Sequence, residues 1–183
     1  VTYVDDALRN FFKTISNYKW FDNTIFVITA DHVNPEHKFD EYKNVRGSYR
    51  VPLAFYSPQI IEAKHIDEIA QHIDIGVSIM SALNINDTIF SFGRNLFDSK
   101  QEPSFIGYSN NVYQFYDGTY FLQSDGNNIK GVHKLNENGF SKNLFNENEE
   151  DWKSIDIKFK AILQQYNNRM INNQLYYIKW KRK

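Results

Sequence analysis

The chain has no cysteine at all. That excludes a disulfide scaffold and any thiolate metal ligand, although it does not fix the compartment. There is little net charge: 21 basic against 22 acidic side chains leave −1. A chain so balanced offers no global electrostatic reason to expect nucleic acid as a partner. No apolar run approaches the roughly 20 residues that span a bilayer. No secretory leader is visible at Val1–Asp6, which reads instead as the start of a helix. The first residue is Val1, not Met, so a piece of a longer protein is expected, with any targeting signal upstream. What the sequence does have is apolar material. It is 42% hydrophobic and 16% aromatic over 183 residues, enough for a real core and unlike a disordered chain.

The apolar residues are patterned. Val4, Leu8, Phe11, Phe12 and Ile15 recur at helical spacing and predict an amphipathic helix over 3–17. Asp5-Asp6 is a paired carboxylate that the helix dipole explains. Ile25-Phe26-Val27-Ile28 is continuous, not alternating, which suits a strand covered on both faces, as in a parallel sheet. Asp31 to Ser48 is a long polar connection. Val51–Tyr56 predicts a second short strand, and residues 66–83 a helix carrying Ile69, Ile73, Val77, Met80 and Leu83, with Gly76 a weak point within it. Helix, strand, loop, strand, helix is an α/β pattern.

Beyond residue 98 the texture changes. Ser104–Tyr108, Val112–Tyr116, Thr119–Gln123 and Ile129–Leu135 are short segments rich in Tyr, Phe, Ile and Val, separated by Asn, Asp and Gly. They predict a small antiparallel sheet, with Asp117-Gly118 as a tight primed turn. Residues 151–172 then predict a helix with Ile155, Phe159, Ile162, Leu163, Tyr166 and Met170 on one face. The tail Lys179-Trp180-Lys181-Arg182-Lys183 is basic and reads as a solvated terminus before it reads as a membrane-surface anchor.

Chemistry concentrates where the first strand stops, in "TIFVITADHVNPEHKF". In open α/β sheets ligands bind beyond the carboxyl ends of strands. A carboxylate and an imidazole together suit Zn²⁺, Mn²⁺ or a similar cation. Adjacent strand residues point to opposite faces, so Asp31 and His32 share an ion only if the strand has already broken into a turn. On spacing alone the pair stands open as a metal site, a catalytic pair or a strand end meeting water, with the last favoured. His37 follows in a polar loop. His65, His72 and His133 have no ligand spacing, and no phosphate loop, nucleophile elbow or His-Glu-x-x-His occurs.

The surroundings of the pair carry a resemblance. "NTIFVITADHVN" followed by "YKNVRGSYRVPLAFYSP" resembles the C-terminal half of the sulfatase and lipoteichoic-acid-synthase-like branch of the alkaline phosphatase superfamily. "YVDDALRNFF", "QHIDIGVSIMSALNI", "FGRNLF", "FLQSDGNNIKGVHKLNENGFSKNLF" and "LQQYNNRMINNQLY" fit the same branch in the same order. The fold implied is the C-terminal part of an alkaline-phosphatase-like α/β sandwich, then a small antiparallel sheet and a closing helix. The corresponding divisions are residues 1–100, 101–150, 151–175 and a basic tail at 176–183.

The resemblance implies hydrolysis or transfer of phosphate or sulfate esters. A divalent cation, Mn²⁺ or else Mg²⁺, Ca²⁺ or Zn²⁺, activates a Thr, Ser or modified Cys and neutralises the non-bridging oxygens. The metal ligands implied are Asp31 and His32; the substrate contacts implied are His37 and Arg46. Asp74-Ile75-Gly76-Val77-Ser78 departs from the family's Asp-Ile-x-Pro-Thr, a structural motif. No residue here matches the nucleophile or the remaining ligands, so the expectation is that these lie before Val1 and that this part alone does not turn over and binds metal weakly or not at all. The implied parent is bacterial, membrane-anchored through upstream helices, with an extracytoplasmic or periplasmic catalytic domain and a substrate of the cell envelope, lipid-linked substrates among them. The competing expectation is a non-enzymatic binding module, its exposed Tyr and Asn residues contacting carbohydrate or a partner.

Overall fold

The computed structural model describes residues 2–34, 38–59, 62–136, 139–140, 142–147, 150 and 152–176. His37 and the basic run at 177–183 lie outside them. The elements form two compact units, Val1–Ile66 and Asp67–Lys183.

The first unit holds helix α1 (Thr2–Ile15) and strands β1 (Phe26–Thr29) and β2 (Leu53–Tyr56). Phe12 and Ile15 carry the inner end of the helical stripe, and Phe12 meets Phe26 at 5.1 Å and Tyr56 at 5.5 Å between ring centres. Phe26 and Tyr56 are cross-strand partners, and Phe21 packs against both with its ring tilted. The outer end of the stripe, Val4 and Phe11, is exposed. β1 and β2 pair antiparallel, Phe26 with Tyr56 and Thr29 with Leu53. This corrects the parallel-sheet reading of Ile25–Ile28. Among the described residues between the two strands there is no crossover helix of the kind a parallel pair requires. The connection between them contains two 3₁₀ turns, Asp40–Tyr42 and Gly47–Tyr49.

The second unit holds helix α2 (His72–Ala82), strands β3 (Phe105–Ser109), β4 (Val112–Tyr116), β5 (Tyr120–Ser124), β6 (Ile129–Asn136) and β7 (Gly139–Phe140), and helix α3 (Lys153–Ile171). The five strands are antiparallel in chain order. Phe115, Leu122 and Val132 stand in one cross-strand row and are essentially buried. Trp152, Ile155 and Phe159 of the closing segment cover that row and complete the core. Burying a side chain of this size contributes about 1.5–3 kcal/mol, so this six-residue patch anchors the unit. Tyr166 and Met170, further along the predicted face, are partly exposed.

Two turns differ from expectation. Asn110 and Asn111 both take positive φ, 51° and 61°, and form the two-residue primed turn between β3 and β4. At Asp117-Gly118 only the glycine has positive φ, 96°. Asp117 serves differently: its Oδ1 accepts from the amides of Thr119 and Tyr120, both at 3.0 Å.

α2 also differs from its apolar pattern. It starts at His72, and its fully buried residues are Asp74 and Ser78, one turn apart, while Ile73 and Leu83 are exposed. Asp74 Oδ2 accepts from the Gln71 amide and Oδ1 from the Arg94 amide, each at 2.8 Å. Ser78 Oγ accepts from the Leu96 amide at 3.0 Å. The helix thus holds the "FGRNLF" segment by its polar side. Gly93 is required there: a Cβ would stand 2.1 Å from the Ile73 carbonyl oxygen.

Candidate metal half-site

The strand β1 ends at Thr29, and the chain turns at once. Because Thr29 pairs with Leu53, the end of β1 and the start of β2 are neighbours. Asp31, His32 and Arg46 therefore all lie on the connection at one end of the β1–β2 pair.

The turn resolves the geometric difficulty of two adjacent residues sharing an ion. The Asp31 carboxylate folds back so that Oδ1 accepts from the His32 amide at 2.9 Å. Its other oxygen, Oδ2, lies 3.5 Å from His32 Nε2. The imidazole is oriented from its far side: Nδ1 lies 2.8 Å from the Val33 carbonyl oxygen. A carbonyl oxygen only accepts, so Nδ1 carries the proton in that bond, and the neutral ring's lone pair is on Nε2. That lone pair faces a carboxylate oxygen. Two acceptors in this relation call for a proton or a cation between them.

The spacing fits a shared cation. Two ligands about 2.1 Å from one ion at a tetrahedral angle stand about 3.4 Å apart. A backbone carbonyl holding the non-ligating nitrogen is the usual outer support of a ligating histidine. Both side chains are open to solvent, Asp31 by 86% and His32 by 72%. The pair could hold a divalent ion as two of its ligands. Among the described residues no group of three or more His, Cys, Asp or Glu side chains comes together, so the pair could supply at most two of an ion's ligands.

Arg46 precedes the 3₁₀ turn Gly47–Tyr49 and is exposed. Its backbone is fixed locally. The Asn44 side chain accepts from the Gly47 amide at 2.8 Å, and Gly47 approaches Glu41 so closely that a Cβ would stand 1.9 Å from that carbonyl oxygen. Among the described residues no hydrogen bond or ion pair joins Arg46 to Asp31 or His32. The Val33 contact and the Asn44–Gly47 clamp are backbone matters that no residue-type pattern announces. The glycine of "NVRGSY" is the one visible trace of them.

Residues 1–85 match the family model of the sulfatases. No curated protein compared with the chain matches it. Among solved structures, the chain is similar to a protein in the alkaline phosphatase superfamily from Vibrio parahaemolyticus. The TM-score is 0.78 at 18% identity, over 96% of this chain and 42% of that one. The chain thus spans less than half the length of the structure it resembles. Its first 85 residues are sulfatase-like, and it has an α/β fold found in the alkaline phosphatase superfamily.

Proposed function

We propose that this chain is the C-terminal part of a divalent-metal-dependent hydrolase or transferase of phosphate or sulfate esters. The observation that carries the reading is the Asp31–His32 geometry: Nε2 and Oδ2 stand 3.5 Å apart, with Nδ1 tied to Val33. The sulfatase match over the same residues supports it. Asp31 and His32 would hold the metal. Once bound, a divalent ion supplies charge neutralisation at the ester's non-bridging oxygens and activation of a nucleophile. The chain's own part is to orient. Val33 fixes the imidazole tautomer, the His32 amide fixes the carboxylate, and the Asn44–Gly47 clamp sets the backbone from which Arg46 meets the anionic ester. His37 is a second candidate for that contact.

Within this class we favour a phosphoglycerol-transferase-like enzyme of the lipoteichoic-acid-synthase type, using Mn²⁺, with a cell-envelope substrate and a membrane-anchored, extracytoplasmic parent. Among the described residues no helix is long and apolar enough to cross a membrane. The nucleophile and further ligands belong to the remainder of such an enzyme, so the 183-residue chain by itself is expected to show no turnover. The test is His32→Ala and Asp31→Ala in the longest natural form of the protein. Both should lower bound metal and esterase activity together. Unchanged metal content and activity would refute the assignment and leave a binding module with a sulfatase-like fold.

A further inference from the structure

A cavity of about 430 Å³ lies at the β4–β5 turn, within the second unit and lined by Glu102, Asp117, Thr119, Tyr120, Ser154 and Lys158 among others. We propose that it binds a neutral polyhydroxylated group, a sugar or glycerol unit. The inference stands on this unit alone and does not depend on the ester chemistry proposed above.

The site is built around Asp117. Its side chain is only 8% exposed, and its Oδ1 is saturated by the Thr119 and Tyr120 amides. Oδ2 has a looser neighbour, Lys158 Nζ, at 3.8 Å. The same ammonium lies 3.3 Å from Glu102 Oε2. Lys158 Nζ donates a long hydrogen bond to Glu102 and makes only an ion-pair contact with Asp117, both longer than the 2.7–2.9 Å or so of a strong charge-assisted bond. Lys158 is therefore held between two carboxylates with donor capacity left, and both carboxylates keep acceptor capacity. Thr119 and Ser154 add hydroxyls, which both donate and accept.

The charge balance selects the ligand. Two carboxylates against one ammonium repel a phosphate or sulfate, and the ammonium stands where a divalent ion would bridge the acids. A vicinal diol suits the arrangement instead. One hydroxyl donates to Asp117 or Glu102 while its neighbour accepts from Lys158. The volume lies within the range of small-molecule sites.

The test is a titration of the full 183-residue chain, followed by amide chemical shifts. The probes are methyl α-glucoside, glycerol and, as an anion, glycerol 3-phosphate. The proposal expects saturable shifts at Gly118, Thr119, Tyr120 and Ser154 with at least one of the two polyols, and weaker or absent shifts there with the phosphate. Tighter binding of the glucoside would mark a saccharide as the source, and tighter binding of glycerol a glycerol unit. Lys158→Met should weaken that binding by about tenfold, the loss of one charge-assisted bond. Glu102→Gln, at an exposed position, should weaken it less. The proposal is overturned if neither polyol gives a saturable shift, if the phosphate binds as well as or better than both, or if a folded Lys158→Met chain binds unchanged.

Discussion

Replacing Asp74 by Ala tests how the second unit is held together. The carboxylate is 1% exposed and accepts two backbone amides, Gln71 and Arg94, each at 2.8 Å. The first belongs to the start of α2; the second fastens a segment twenty residues away. A hydrogen bond to a charged group contributes about 1.5–3 kcal/mol, and a buried donor left without a partner costs about as much. Two such bonds sum to about 3–6 kcal/mol; relief of the buried carboxylate's desolvation offsets part of this, leaving about 3 kcal/mol. That is a large share of the roughly 5–15 kcal/mol by which domains are stable. With a urea dependence of about 2 kcal/mol per molar, the midpoint should fall by about 1.5 M. Trp152, buried in the core of the same unit, is the reporter, in a background where Trp20 and Trp180 are Phe. Asp74→Asn keeps an acceptor and should lose about half as much. A loss below about 1 kcal/mol for Asp74→Ala, with the slope unchanged, would refute the reasoning, since the two amides would then be satisfied without the carboxylate.

Gly93→Ala should destabilise the same unit at least as much as Asp74→Ala, because its Cβ would meet backbone 2.1 Å away and lift the Arg94 amide off Asp74; wild-type melting of that variant would contradict it. Asp125 should titrate well below the ordinary aspartate value of 3.8, because the Lys130 ammonium bonds one oxygen and the Asn128 and Asn127 amides bond the other. Its folded value is depressed, so its stabilisation is present above 3.8 and is lost as pH falls below that value, through the folded one. A carboxyl-carbon NMR titration should show Asp125 ionised after exposed aspartates have protonated, and Lys130→Met should raise its midpoint; titration alongside the others would contradict it.

The sequence was readable where a rule is local. Helical spacing predicted α1 and α3 to within two residues at each end, and short β-rich runs between Asn, Asp and Gly predicted β3–β6. It was less readable where the deciding contact is distant. α2 turns a polar face inward because Asp74 and Ser78 meet the amides of residues 94 and 96, which no periodicity reveals. The continuous run in β1 fits two covered faces, yet its partner β2 runs antiparallel, a direction that no local run encodes. Asp-Gly is the stronger dipeptide signal for a primed turn, but Asn110-Asn111 makes it, since the two-residue register of β3 and β4 demands positive φ at both positions. Asp31 and His32 could be singled out as neighbours at a strand end. Their convergence depends on the turn, and the tautomer on the Val33 carbonyl. The cleft at Asp117 left no trace in the sequence, because it joins a hairpin turn to a helix more than thirty residues later.

The central claim is that His32 offers its Nε2 lone pair beside Asp31. The most direct measurement is the long-range nitrogen–proton NMR spectrum of the histidine rings in the neutral chain, before and after Zn²⁺ is added. The account predicts the Nδ1–H tautomer at His32. It also predicts a Zn²⁺-induced shift at His32 Nε2 that vanishes in Asp31→Ala. An Nε2–H tautomer at His32, or Zn²⁺ shifts at His32 that survive Asp31→Ala, would contradict it.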